Sequence, residues 1–530
     1  MKTENFPLSV FRFPLFLPLA LMAASLTLSP FMMSVSQILL FLTWLFTGDP
    51  VTVKLKRFLH NKTVVILVSL YLLHVIGLLY TSDFAYAFKD LKVKLPLLVF
   101  PFILSSMKPL DKKHFDLLTL IYVTAVLVAT CISFGKYLKH DYQDVRQISR
   151  YISHIRFCLN IVLVMGIILY HLFTRSQPWW ERIVQIALLV WFCYQLYVFE
   201  SISGYAAFAG LVGVSLLFLL FKRVKGIGWR VATLVVVVVV PLAVGVWLYR
   251  MVSPMMQDPK VDFERLDKQT ALGNDYWHDT LCFPVENGKY VGLSFCRAEM
   301  REAWNRRSGL DYDGQTLNGE NLEATLARYL TSKDLRKDAE GVAALTDQDI
   351  RNVEQGVANY VNWTRPGLYS RLSETCFEYN LYRKANNPNG GSLSQRIEYT
   401  KASLYLIKKH PLFGVGTGDI PNAYQQAYDE LRSPLAPQYR HKAHNQYLSI
   451  TVGFGVIGLL IFLIVLLFPY FSSKRNRGYL YTLFLVIMLI SMFPEDTIES
   501  QAGVSFYAFF NSLFIFANEK EDSDSEKPVT

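Results

Sequence analysis

The chain has 530 residues, 52% of them hydrophobic and only 18% charged, and a formal net charge of +10. So much apolar surface against so little charge speaks against a soluble enzyme and for a membrane protein. The six cysteines make no CxxC pair and no His/Cys cluster, so neither a metal nor another cofactor is expected, and nothing points to nucleic acid.

A helix needs about 20 apolar residues to cross a bilayer. Windows that supply them centre near Leu19, Leu40, Leu70, Leu98, Val126, Val164, Ala187, Gly213, Val238, Leu459, Ile487 and Phe510. The fourth, "LKVKLPLLVFPFILSS", is the weakest, being short and carrying two prolines. With both ends inside, the cytoplasmic connections read "KLKRFLHNK", "SSMKPLDKK", "TRSQPWWER", "KRVKGIGWR" and "SSKRNRG". All are basic, as positive loops retained in the cytoplasm should be. The expected fold is an all-α integral membrane protein of about 12 transmembrane helices, with a large, mainly helical periplasmic insert between helices 9 and 10. Residues 1–250 hold helices 1–9, 251–443 the periplasmic domain, 444–518 helices 10–12, and 519–530 a disordered cytoplasmic tail.

One outer connection opposes the charge rule. Residues 136–156 carry Lys136, Lys139, Arg146, Arg150 and Arg156 on the side where cations are disfavoured. Misplaced positive charge suggests an anionic partner there, with partial neutralisation by Asp141 and Asp144 as the plainer reading.

Within the insert, Thr346 and Asp349 form a capping box ahead of Ile350, Val353, Val357 and Val361 on one helical face. Glu320 to Leu330 reads as a second helix, and Trp304, Trp363, Tyr369 and Tyr379 as core aromatics. Arg371, Glu374 and Glu378 have the spacing of a solvated ion-pair face. Cys282 and Cys296 both lie in the insert, where an oxidising compartment would permit them to pair.

Polar groups capable of chemistry concentrate at the outer face, beginning with residues 392–430 just before the tenth span. Ser394 can cap a helix that Lys408, Lys409 and His410 complement and Pro411 ends. Gly414, Gly416 and Gly418 then alternate, suited either to a plain tight turn or to a cradle of exposed amides for an anion. Asp419 and Pro421 start another helix. In "HKAHNQYL", His444 is a candidate base, since an imidazole with a pKa of about 6.5 is neutral at pH 7. Asn445 either orients that ring or the substrate, or caps the helix that follows.

The motif "HPLFGVGTGD", followed by "HNQYL" and "GFGVIGLL" and preceded by the arginine of "SQRIEYTKAS", resembles the signature of the O-antigen ligase and polymerase (Wzy-C-like) family of bacterial membrane glycosyltransferases. The resemblance implies a polyprenyl (undecaprenyl) pyrophosphate-linked glycan as donor, a hydroxyl acceptor such as lipid A-core, and a multi-pass protein of the inner membrane with its active site facing the periplasm. It matches Arg396 to the family's arginine, His444 to its histidine and Arg156 to the arginine by the sixth span. Many relatives carry Ser-Arg at the outer start of the eighth span, where this chain has "ESISG" with Ile202. Another cation must then hold the phosphates, Arg156 or Arg150 first. The expected activity is a metal-independent, inverting O-antigen ligase-like transfer. The alternatives are an O-antigen polymerase, a protein O-oligosaccharyltransferase, or, outside the enzymes, a lipid-linked sugar flippase.

Overall fold

The computed structural model describes residues 14–139, 145–222, 226–281, 284–365 and 367–517. It is 72% helical with almost no sheet. The chain divides into two compact units, one made of residues 1–234, 400–427 and 441–530, the other of 235–399 and 428–440.

The first unit begins with α1 (Phe16–Leu28), α2 (Pro30–Phe46) and α3 (Val51–His60). Ser29 ends α1 and caps α2, its side chain accepting from the Met32 amide, with Pro30 at the first helical position where it needs no partner. Then come α4 (Lys62–Ile76), α5 (Phe84–Lys94), α6 (Pro96–Ser106), α7 (Lys112–Leu138), α8 (His154–Thr174), α9 (Trp179–Phe199), α10 (Ile202–Lys222) and α11 (Ile227–Met256), the last of which continues into the second unit.

The second unit has its own core. It contains α12 (Arg297–Asn305), α13 (Leu322–Ser332), α14 (Ala339–Ala343), α15 (Asp347–Glu354), α16 (Tyr360–Thr364), α17 (Leu368–Ala385) and the first half of α18 (Ser392–Lys409). Trp304, Tyr312, Leu326, Leu330 and Val353 are fully buried together. The capping box forms as expected, Thr346 and Asp349 each accepting from the other's amide. Trp304 joins this core, but Trp363 is 51% exposed. Ser394 lies inside α18 rather than at its cap, and its hydroxyl donates to the Glu378 carbonyl at 3.0 Å. Arg371 pairs with Glu374 at 3.1 Å, whereas Glu378 accepts from the Ser392 amide. Cys282 lies outside the described residues.

The chain then continues through α19 (Ile420–Glu430), α20 (Gln446–Ser472), α21 (Tyr479–Ser491) and α22 (Gln501–Ser512). In the first unit, α4 packs on α20 and α6, α22 on α6, and α8 on α9, α10 and α21. Leu70, Phe100, Phe454, Phe484 and Phe510 share its core.

Every predicted span centre falls in a helix, but the count of twelve spans is not reproduced. Among the described residues seven helices are long and apolar enough to cross a membrane, or eight if α2 and α3, bent by 110°, form one span. The shortfall is one of length. The helices α1 and α21 have 13 residues each and α6 has 11, so at 1.5 Å per residue none reaches beyond about 20 Å, less than the roughly 30 Å hydrocarbon core. The basic connection "KLKRFLHNK" is also not a loop, since most of it is α3. The protein is thus a helical, multi-pass membrane protein.

Candidate active site

His444 sits immediately before α20 with φ of 47°, a left-handed conformation that a residue with a Cβ adopts only when its surroundings impose it. The next residue, Asn445, is the N-cap of α20, its side chain accepting from the Leu448 amide at 3.0 Å. Asn445 therefore fixes where the helix begins and, with it, where the histidine stands.

The ring of His444 meets two carboxylates that sequence reading passed over. Its Nδ1 lies 3.6 Å from Asp496 Oδ1 and 3.9 Å from Glu495 Oε2, and both acids are largely buried. Burial pulls the histidine's pKa down, but the nearby negative charge of Asp496 and Glu495 outweighs it and carries the pKa up to about 9. This corrects the expectation of a ring neutral at pH 7: in the free protein the carboxylates hold His444 as an imidazolium. The neighbouring His441, whose ring centroid is 6.1 Å away, moves the opposite way, lowered by burial and by the charge of His444.

Behind this pair lies a buried charged cluster. Glu499 accepts from Lys94 at 2.9 Å, from Gln446 at 3.1 Å and from Lys442 at 3.5 Å, while Lys94 also donates to Asp90 at 2.7 Å. Burial opposes ionisation of Glu499, yet Lys94 and Lys442 bring its pKa well below the usual carboxylate range. Lys442 is in turn pushed up by Glu499 and Tyr86, against its own burial.

Arg156 reaches the far end of the same segment. It stands in the first turn of α8, donates to Ser153 Oγ at 3.1 Å, and its Nε lies 3.2 Å from where a Cβ on Gly503 would be. That Nε is buried and finds no hydrogen-bond partner among the described residues. Segment 495–503 thus has His444 at one end and Arg156 at the other. A side chain at Gly503 would also strike the Thr497 carbonyl, so glycine permits the close approach. Arg150 is exposed and lies over the Tyr151 ring at 5.6 Å. Ile202 opens α10 and is 45% exposed. Arg396, on α18, belongs to the second unit, one turn before the buried Tyr399, whose hydroxyl donates to the Tyr439 carbonyl at 2.8 Å.

The glycine turn bonds to the protein's own backbone and side chains. The amides of Gly414, Val415 and Gly416 donate to the carbonyls of His410, Val452 and Gly453, and the Gly418 amide donates to Thr81 Oγ1 at 2.8 Å. Two of those acceptors lie in α20, which breaks at Gly455 (φ 66°, ψ −167°), and beyond the break the Val456 amide bonds the Pro411 carbonyl instead of continuing the helix. The turn and the break satisfy one another's backbone groups, as apolar surroundings require. Both glycines permit contact: a Cβ on Gly414 would lie 2.4 Å from the Gly453 carbonyl carbon, and one on Gly455 2.1 Å from that of Leu412. Asp419 accepts from the Ser82 and Asp83 amides at 2.8 and 2.9 Å, tying the turn to the start of α5.

Glu495, Asp496 and Glu499 had one signal in the sequence, the acids of "FPEDTIES" between two apolar runs. Charges at a span boundary are costly unless they serve a purpose. Three ligand-type atoms, one each from His444, Glu495 and Asp496, lie within 4.8 Å of one another, a spacing a divalent cation could also use.

Geometry and helices together define a membrane protein with a polar, charge-rich centre at the start of α20. Residues 356–463 match the family model described as O-antigen ligase (Wzy_C), and this segment includes Arg396, the glycine turn and His444. The comparison agrees with the resemblance carried by the sequence motifs. No curated protein matches the chain.

Proposed function

We propose that the protein is a glycosyltransferase that moves a glycan from polyprenyl pyrophosphate to a hydroxyl of lipid A-core, without a metal ion, at the periplasmic face of the bacterial inner membrane. The observation that carries this reading is His444, inside the segment matched by the ligase family, with its Nδ1 turned to Asp496 and Glu495.

In this reading the acceptor O–H gives its proton to His444 Nε2 as its oxygen bonds the anomeric carbon. The bond from that carbon to the pyrophosphate oxygen breaks, and the electron pair leaves with the lipid diphosphate. Asp496 and Glu495 stabilise the imidazolium as it forms. Arg156, with Arg150, holds the diphosphate, and because charge grows on the departing oxygen these cations stabilise the transition state more than the bound donor. Guanidinium suits the task because it is always charged and can grip two oxygens at once. A histidine with a pKa of about 9 is a strong proton acceptor but is mostly occupied at pH 7, so this route speeds up as pH rises toward that value.

The test supplies purified protein with polyprenyl pyrophosphate-linked glycan and lipid A-core in a chelating buffer and looks for the mass of the joined product. His444→Ala should bind donor and fail to transfer; unimpaired transfer by this variant removes the histidine from the mechanism. A deletion strain identifies the acceptor. Bare lipid A-core supports the ligase, and loss of glycoprotein instead supports protein glycosylation.

A further inference from the structure

Buried charge in a membrane protein demands a reason, and the cluster around Glu499 is more elaborate than neutralising one carboxylate needs. Gln446, which is fully buried, is its hinge point. The Gln446 backbone amide donates to the Met492 carbonyl at 2.9 Å, its side-chain oxygen accepts from the Ile498 amide at 2.9 Å, and its side-chain nitrogen donates to Glu499 Oε1 at 3.1 Å. One residue two places beyond His444 thereby grips both ends of the loop that carries Glu495 and Asp496. Glu499 is held from the other side by Lys94, itself 1% exposed and kept in place by Asp90. Ser491 and Thr497 close the base of the loop with a hydroxyl pair at 3.1 Å.

We propose that Gln446 and Glu499 are positioning residues that lock the 492–499 loop to the head of α20, so that the carboxylates of Asp496 and Glu495 face His444. This rests on the glycosyltransferase reading for its consequence in catalysis, but not for the lock itself. Lys94 and Lys442 supply the positive charge that lets Glu499 stay ionised in a buried place, and Asp90 holds Lys94 in position. Neither Gln446 nor Glu499 is asked to touch substrate. Their effect runs through the geometry of His444, where small displacements are costly.

Two measurements separate the lock from the reaction. Hydrogen–deuterium exchange on the detergent-solubilised full chain should show the peptide spanning 492–499 protected in the wild type and exchanging faster in Gln446→Leu; equal protection in both overturns the lock whatever the protein catalyses. In the transfer assay, Gln446→Leu should lower kcat by about tenfold or more with donor KM nearly unchanged. Gln446→Glu alone sets two carboxylates against each other and should do the same, while the exchange Gln446→Glu with Glu499→Gln restores donor and acceptor across the contact and should recover most of the rate. A swap that recovers nothing, or a rise in KM that accounts for the whole loss, overturns the positioning role. A wild type that is locked but transfers no glycan removes the functional reading and leaves the lock standing.

Discussion

Asp496 Oδ1 stands 3.6 Å from His444 Nδ1, although one residue precedes α20 and the other follows α21. The two helices between them return the chain to the same level, and the pairing sets both the charge and the orientation of the ring. It turns a histidine that sequence alone describes only as a possible base into one arm of an acid–imidazole pair.

Asp496→Asn should therefore lower the transfer rate at pH 9 by about 10²-fold, as for loss of an oriented proton acceptor. It should also move the pH at which His444 loses its proton downward, toward the ordinary histidine value. Imidazole chemical shifts followed through a titration read the second effect; an unmoved midpoint would break the link between the two residues.

The wild-type pH profile has a definite sign. His444 is protonated below about 9, so a rate limited by its neutral form climbs from pH 7 and levels off above about 9. The ion pair acts on folding in the other direction: its contribution is complete below the ordinary histidine pKa and disappears as pH rises through about 9. Steady-state rates against pH, with thermal melting in parallel, check both. A rate that falls above pH 9 would assign His444 to holding the anionic donor as a cation.

Arg156→Ala should raise the KM for the pyrophosphate donor by about 10-fold or more, and Arg156→Lys should recover only part of the loss, since an ammonium cannot reproduce the two-pronged grip. Donor-binding isotherms with the three proteins decide. Equal affinity in all three would leave the buried Nε without a part in donor recognition.

Gly455→Ala should destabilise the protein by about 3 kcal/mol or more, because it adds a collision with backbone to a positive φ. The added carbon would lie 2.1 Å from the Leu412 carbonyl group, at a φ of 66°. Melting temperature and recovery of monodisperse protein in detergent measure the effect. A variant as stable as the wild type would mean that the break in α20 relaxes easily.

Chain-local rules carried the sequence reading a long way. The apolar windows centred on twelve of the helices while missing α3 and α5, Thr346 and Asp349 made their box, and Asp419 preceded a helix, because apolar runs and caps act over a few residues and need no distant partner. Span lengths were less legible, since an apolar window does not say where a helix breaks, as α2 does before α3 and α20 does at Gly455. Nor could the motif say what its glycines do. Their amides donate to His410, Gly453 and Thr81, and only folding brings residues 411–416 against 452–456. The protonation of His444 belongs wholly to tertiary structure. A pKa answers to charges within a few ångströms through space, and Glu495 and Asp496, remote along the chain, reach that distance only when α20 and α21 pack into the same bundle.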